Sequence, residues 1–333
     1  MPRLVEPTDE GIVEAVRQLR RGAIVVFPTE TVYGLGADTF NPEAIDAVYA
    51  LKGRSQDMPL IAHVYDSRQA RELVAVWDDR CERLVERFWP GPLTLVLPRA
   101  DHLPSRATAG RSTIAVRAPA HPVARKLIGG FDGPISATSA NRSGDRSPTT
   151  AGHVVADLAE FEDLMVLDGG PCEVGIESTV LDLTPGIASE GAPADRPSPP
   201  RVLRLGGVSR EEIQDVVGLI VDSSPPIHDA SAQGAAAPDA PRTPTELLAS
   251  HQLRERMVSA GEPLVALCFD PDEIETAHRL IKMPRSARAY GARLYDALRE
   301  AEAMRPARII IERPRRTDGL WAAIHDRLRR AVV

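Results

Sequence analysis

The residues best suited to chemistry in this 333-residue chain are scattered cations beside small hydroxyl groups. Only three of its 40 basic residues are lysines, and one of them, Lys52, stands two positions before Arg54 where a helical pattern ends in Lys-Gly-Arg. A lysine is a compact point charge and an arginine a two-pronged fork, so the two together suit a phosphate chain. A plain helix C-terminus, which favours cations anyway, is the competing reading. Arg117 ends the strand-like run Thr113-Ile114-Ala115-Val116, where a binder of anions such as carboxylate competes with a surface ion pair. The run from Ser136 to Gly144 follows a short strand and is dense in Ser, Thr and Asn. Such a loop can turn hydroxyls and backbone N–H groups toward phosphate or carboxylate oxygens. Ser147-Pro148-Thr149-Thr150 then opens a helix whose N-terminus adds partial positive charge. Thr29, Thr31 and Tyr33 alternate and would share one wall of a pocket. Gly34 and Gly36 beside them fit something approaching the backbone closely, and an edge strand with a bulge is the competing reading. His63 follows an apolar strand and by itself reads as a satisfied core histidine. Glu177-Ser178-Thr179-Val180 and Val202-Leu203-Arg204-Leu205 complete the set. No phosphate-loop or dinucleotide fingerprint occurs, nor any serine-triad order, His-Glu-x-x-His or Cys-x-x-Cys. This pattern fits a cavity for an anionic ligand better than a nucleophilic centre.

The elements that must hold these residues alternate between helical and strand periodicity. Thr8 is placed to cap a helix with Ile12, Val13, Val16 and Leu19 on one face, stopped by Gly22. Strands fit residues 23–27, 32–37, 60–64, 93–98, 112–117, 134–137, 164–167, 178–183 and 201–205. Asn41-Pro42 starts a helix that runs to Lys52-Gly53, and further helices fit 67–75, 79–88 and 122–129. Phe88-Trp89-Pro90-Gly91-Pro92 reads as a stiff turn. Strands that follow one another without helices between them exclude a purely parallel sheet. The expected fold class is α/β: a twisted mixed sheet with a second, smaller α/β unit of Rossmann type. In that smaller unit, strands fit 264–267 and 308–311, and helices fit 287–303 and 318–331.

Composition sets the outer bounds. The length suggests about two domains. Ten of the 29 prolines fall between Pro185 and Pro244. Within that region 222–245 holds five prolines, six alanines and one large aliphatic residue, so it reads as a linker. The expected organisation is a catalytic domain over 1–217, a linker over 218–245 and a small α/β domain over 246–333. Net charge is −7, and −6 falls on residues 1–209, which argues against a broad phosphate-binding surface. No apolar run approaches the ~20 residues of a membrane span. Cys81, Cys172 and Cys268 suit neither a disulfide framework nor a zinc site, so a reducing cytoplasm is expected.

In this order the segments resemble one family closely. Pro-Thr-Glu-Thr-Val-Tyr-Gly-Leu-Gly-Ala-Asp is followed by Lys-Gly-Arg, Phe-Trp-Pro-Gly-Pro, Ala-Val-Arg, Ser-Ala-Asn-x-Ser-Gly, Ser-Pro-Thr-Thr, Gly-x-Glu-Ser-Thr-Val and Leu-Arg-x-Gly-Gly. The set is similar to the YrdC-like family, strongly over about 8–217. The stretch from Met283 to Glu302 with the final helix resembles the C-terminal domain of its two-domain threonylcarbamoyl-AMP synthases. That resemblance implies synthesis of L-threonylcarbamoyl-AMP from L-threonine, bicarbonate or CO2, and ATP, with release of pyrophosphate. A tRNA threonylcarbamoyl transferase complex would then move the group to an adenosine beside the anticodon. By motif position, Thr31, His63, Arg117, Thr138 and Ser178 would surround threonine. Lys52, Arg54, Met58, Thr113, Ser139, Ala140, Asn141, Ser147 and Arg204 would surround ATP, with Lys52 and Arg54 as the catalytic cations. Mg2+ would accompany the nucleotide; its ligands are not assigned. No stable tRNA binding is expected.

The chain departs from the family pattern at Ser55, Met58 and Leu205, where proline, asparagine and proline are usual. The family's lid segment, which carries a His-Tyr pair, has only Ser224-Pro225-Pro226-Ile227-His228-Asp229 as a counterpart. The alternatives are a carbamoyl-adenylate-forming enzyme and an RNA-binding, translation-associated protein.

Overall fold

The computed structural model describes residues 1–185, 199–222 and 242–332. The first part of the chain contains β1 (Arg3–Val5), α1 (Asp9–Arg20), β2 (Val25–Phe27), β3 (Gly34–Asp38), α2 (Pro42–Lys52) and β4 (Ile61–His63). Then come α3 (Ser67–Arg71), α4 (Asp79–Phe88), β5 (Leu93–Pro98), β6 (Thr113–Arg117), α5 (Pro122–Phe131) and β7 (Ile135–Ser139). Next are α6 (Ala151–Asp157), β8 (Met165–Leu167), β9 (Thr179–Asp182), β10 (Arg201–Arg204), α7 (Arg210–Val217) and β11 (Val221–Asp222). These strands form one sheet of eleven in the order β1-β8-β2-β3-β7-β4-β6-β5-β9-β10-β11. It is mixed, as expected: β2–β3, β3–β7, β4–β7, β5–β6 and β9–β10 are antiparallel, while β4–β6 and β5–β9 are parallel.

The remainder folds as a second α/β unit. Its elements are β12 (Thr245–Leu248), α8 (Ser250–Ser259), β13 (Leu264–Cys268), β14 (Arg279–Lys282), α9 (Ala287–Ala303), β15 (Arg308–Glu312) and α10 (Leu320–Ala331). The sheet order is β12-β15-β13-β14, all parallel. Helices α9 and α10 cover one face through Tyr290, Leu294, Leu298, Trp321, Ile324 and Leu328, and α8 covers the other through Leu253 and Met257. Most of the expected linker, residues 223–241, lies outside the described residues, as does the segment 224–229 compared with the family's lid.

Local chemistry explains most boundaries. The Thr8 hydroxyl accepts from the Gly11 N–H, and Asn41 accepts from Ala44 N–H with Pro42 behind it. Gly53 ends α2 at φ 65°, the left-handed conformation that glycine adopts without strain. Two details differ from expectation. Val13 is exposed, and Ala15 takes its place on the buried face of α1. The helix expected from Ser147 starts only at Ala151, because Thr150 provides the cap by accepting from His153 N–H.

Candidate active site

Residues paired in register share a face of a sheet, which locates the open side of the large one. Ile61 lies beside Ala115, Ala115 beside Val96, Thr113 beside Pro98, and Val180 beside Arg204. Ile61, Ala115, Val96, Thr113, Val180 and Arg204 are all half-buried. Their neighbours on the opposite face, Ala62, Leu95, Ile114, Val116 and Leu181, are buried in the core under α3, α4 and α7. Among the described residues, this stretch of one face is therefore left half-buried; His63, Thr113, Arg117 and Arg204 lie along it, and the candidate residues fall into three groups.

The first group forms around Lys52 at the end of α2. Its ammonium donates to the Ser139 carbonyl at 2.6 Å and hydroxyl at 3.2 Å, and to the Asn141 carbonyl at 3.0 Å and side-chain oxygen at 3.1 Å. Lys52 thus pins the loop after β7 to α2. The Asn141 amide donates to the carbonyls of Arg142 and Asp145, which closes that loop on itself. Arg54 donates to the Met58 carbonyl at 3.4 Å, and the Tyr49 hydroxyl donates to the same carbonyl. Ala140 is fully buried, with its N–H bonded to the Tyr33 carbonyl, so it holds the loop to the β3 entry rather than presenting an accessible atom.

Arg117 at the end of β6 organises the second group. It donates to the Thr31 hydroxyl at 2.9 Å and the Gly91 carbonyl at 3.2 Å, and pairs with Glu30 at 2.6 Å. The carboxylate partner anticipated for this arginine is thus the protein's own Glu30, and the pair is buried rather than on the surface. Burial pushes the Glu30 carboxyl up, but the charge and hydrogen bonds of Arg117 outweigh it and hold the group below its ordinary value. His63 stands in register with Arg117 on the same face. Its Nδ1 lies 3.0 Å from the Ile61 carbonyl, which can only accept, so Nδ1 carries the proton. Burial, then the Arg117 charge, pushes its pKa down to about 4, so the ring is neutral at pH 7. Thr138, on β7, pairs with Leu35 and is half-buried, but its neighbour Ala137 is the residue in register with Ile61, so Thr138 lies on the opposite face from His63.

The third group spans β9 and β10. Arg204 donates to the Ser178 carbonyl at 3.0 Å and hydroxyl at 3.1 Å, and the Ser178 hydroxyl bonds Thr94 at 2.8 Å. Ser147 donates to Glu177 at 2.8 Å. Burial opposes ionisation of Glu177, but the charges of Arg327 and Arg204 prevail and hold it far below the usual carboxylate range. Among the described residues no three His, Cys, Asp or Glu side chains come together as a metal site.

The structure corrects two readings around β3. Thr29 and Thr31 do meet, hydroxyl to hydroxyl at 2.9 Å, but Tyr33 turns away and donates to the Gly170 carbonyl at 2.8 Å. The strand begins only at Gly34, so the alternation had no pleat to act on. The glycines of β3 make room for an aromatic ring, not for a ligand. A Cβ on Gly36 would come within 2.7 Å of Phe27, and one on Gly34 within 3.2 Å. Phe27 in turn packs edge-on against His63, with ring centroids 5.7 Å apart. Sequence reasoning gave no role to Glu30, Glu177, Tyr295 or Arg327. Glu30 and Glu177 stand inside the quoted motifs, but the role of each of the four comes from a partner distant in the chain.

Two family models account for the chain. One described as "Telomere recombination" matches residues 17–191, and one described as "Threonylcarbamoyl-AMP synthase, C-terminal domain" matches residues 208–332. A threonylcarbamoyl-AMP synthase of Bacillus subtilis is 38% identical, over 97% of this chain and 93% of its own length. The chain belongs to the threonylcarbamoyl-AMP synthase family. A synthase of Pyrococcus abyssi is 44% identical over 66% of this chain and 61% of its own. The crystal structure of P. abyssi Sua5 complexed with L-threonine superposes at a TM-score of 0.86 and 34% identity, over 99% of this chain and 97% of that one. The family thus extends across both α/β units. Among the described residues no helix is long and apolar enough to cross a membrane.

Proposed function

We propose that this chain makes L-threonylcarbamoyl-AMP from L-threonine, bicarbonate or CO2, and ATP. The observation that carries the reading is the set of cations Lys52, Arg117 and Arg204, each of which holds a hydroxyl-bearing loop or strand end. Family membership and the threonine complex of the P. abyssi structure support it. Threonine would lie among Thr31, His63, Arg117, Thr138 and Ser178. ATP would lie among Lys52, Arg54, Met58, Thr113, Ser139, Ala140, Asn141, Ser147 and Arg204.

The chemistry suits a site without a nucleophile. The threonine amine forms a C–N bond to CO2 and loses a proton, giving a carbamate. A carbamate oxygen then attacks the α-phosphorus, the bond to the β-phosphate bridging oxygen breaks, and pyrophosphate leaves. Three anions must share one cavity, so the protein's task is to position them and offset their charge. Glu30 already balances Arg117, which makes Arg117 a rigid support for Thr31 as well as a charge. A neutral His63 adds no charge and leaves the threonine amine without a competing cation. Mg2+ would enter on the nucleotide, held mainly by phosphate oxygens and water. The product would pass to a tRNA threonylcarbamoyl transferase complex. We place the protein in the cytoplasm, where buried free thiols such as Cys81 and Cys172 stay reduced.

The test is purified protein with ATP, L-threonine and bicarbonate. Pyrophosphate release that requires threonine is the expected result. Release that requires carbamoyl phosphate instead would point to a carbamoyl-adenylate former. No release together with salt-sensitive tRNA binding would point to an RNA-binding protein.

A further inference from the structure

One carboxylate beside the candidate site is held by both units. Glu177 precedes Ser178, and its environment comes from both units. From the large unit, the Ser147 hydroxyl donates to Oε1 at 2.8 Å. From the small unit, Arg327 Nε donates to Oε2 at 2.7 Å and the Tyr295 hydroxyl to Oε1 at 3.2 Å. Arg327 is almost wholly buried, with its side chain 1% exposed, and also donates to the Leu205 carbonyl at 3.0 Å. An arginine is rarely enclosed to this degree unless its pairing is well satisfied.

The surrounding contacts repeat the theme. Ile176 is fully buried in the core of the small unit, with Tyr290, Leu294 and Ile324. Gly175 sits at φ 70°, and a Cβ there would come within 2.4 Å of the Ala292 backbone, so α9 lies directly against this segment. Arg299 donates to the Arg146 carbonyl at 2.6 Å, immediately before Ser147, and pairs with Asp157 at 2.7 Å. Glu302 pairs with Arg146 itself. Residues 175–178 therefore face two ways. Ile176 and Glu177 belong to the small unit, while Ser178 belongs to the site.

We propose that Glu177 is a positioning residue, and that Arg327 and Tyr295 use it to set the place of Ser147. The small unit then forms the back wall of the nucleotide site rather than an appendage. This rests on the reading of Ser147 as a nucleotide contact. Glu177 would touch no substrate. Its effect is on affinity: Ser147 freed from Glu177 no longer presents a fixed hydroxyl, so ATP binding weakens more than turnover or threonine binding.

The test uses the full chain with Arg327→Met, Arg327→Lys, Tyr295→Phe and Glu177→Gln. The readouts are ATP Kd by calorimetry without threonine, KM for each substrate, kcat and melting temperature. Arg327→Met is expected to raise the ATP Kd and KM at least tenfold, with kcat and the threonine KM within threefold. Arg327→Lys should recover part of that loss, and Tyr295→Phe should raise the ATP Kd about threefold with little change in melting temperature. A lowered melting temperature with an unchanged ATP Kd in the folded variants would overturn the proposal. If Arg327→Met does not fold, Glu177→Gln and Tyr295→Phe decide by the same criterion. A wild type that binds ATP but releases no threonine-dependent pyrophosphate would sink the proposed activity, while the Kd ratios would still decide the role of Glu177.

Discussion

At the residue scale, the cations of the site do two tasks at once, and substitutions should show both. Lys52 is buried and makes four hydrogen bonds to Ser139 and Asn141. Lys52→Met removes the donor and leaves two carbonyls without it. Bonds to a charged group are worth about 1.5–3 kcal/mol each in isolation, and shared acceptors and water entry reduce the sum. The expected outcome is a loss of about 2–4 kcal/mol in urea unfolding together with at least a tenfold fall in kcat/KM. Loss of activity at unchanged stability would show that the loop does not depend on Lys52. Arg117→Met strands Glu30, and a buried carboxylate without its cation costs about 3–5 kcal/mol. The sign of the pH effect follows from linkage. In the wild type the Glu30 pKa is lowered by folding, so its contribution is present above the unfolded carboxylate pKa and fades as pH falls through the lower folded value. In Arg117→Met burial is opposed only by the backbone N–H groups of Glu30 and Ala120, the folded pKa rises, and the penalty is fullest at neutral pH. The stability gap between wild type and variant should therefore narrow as pH drops toward the ordinary carboxylate range. Denaturant melts across that range check this; a gap that widens on acidification refutes it. The carboxylate partner of Arg117 was foreseeable as a type but not as Glu30, since 87 positions separate the two.

At the scale of elements, what was legible followed from side chains that act on their own backbone. Thr8, Asn41 and Gly53 place helix boundaries within a residue or two, because a cap needs only its own few neighbours. Most of the missed elements have no such signal; α7 is the exception, since Ser209 and Glu212 form a capping box at its start that the sequence reading did not use. β1 and β11 are three and two residues long, and each exists only because a parallel neighbour completes its hydrogen bonds. β12 follows directly on a proline-rich stretch and reads as the end of a linker. α8 carries only Leu253 and Met257 on its buried face, too sparse for a periodic pattern to register. The glycines of β3 were noticed for the right reason and given the wrong neighbour, since a ring from β2 was not visible in the sequence. That neighbour sets a prediction. Gly36→Ala puts a Cβ within 2.7 Å of both Phe27 and Ile135, which have no solvent side to move toward. It should destabilise by about 1–3 kcal/mol and, by displacing Phe27 from its contact with His63, raise the threonine KM more than the ATP KM. Gly53→Ala meets no atom within 4 Å and bears only the left-handed backbone cost, about 1–2 kcal/mol. Equal effects of the two on threonine KM would contradict the assignment of Phe27 as the support of His63.

At the scale of the whole molecule, the mixed sheet and the smaller parallel one were legible because strand and helix periodicities repeat over many residues. The way the two units join was not. The pairs Arg327–Glu177, Arg299–Asp157, Arg146–Glu302 and His153–Asp296 link positions more than 140 apart, and in sequence each arginine is one among 37. The arginine-rich end of the chain reads as a solvated face, and for Arg313, Arg315, Arg316 and Arg329 it is exposed. Arg327 is the exception, and it changes how the molecule should unfold. Two domains tied by a linker alone would melt separately. Here the small unit cannot leave without exposing Ile176, Arg327 and Glu177, three groups sealed at the junction. Unpaired, the two charges would have to be rehydrated while the Ile176 side chain, worth about 1.5–3 kcal/mol when buried, returns to water. Folding of the two units is therefore coupled. Trp321 reports on the small unit and Trp77 and Trp89 on the large one, so a chain carrying Trp77→Phe and Trp89→Phe isolates the small unit's fluorescence. Its thermal transition should coincide with that of total helix content measured by circular dichroism, as one cooperative step. Adding Glu177→Ala and Arg327→Ala should separate the two curves. Separate transitions in the chain that retains Glu177 and Arg327 would show that the junction is a contact and not a coupling.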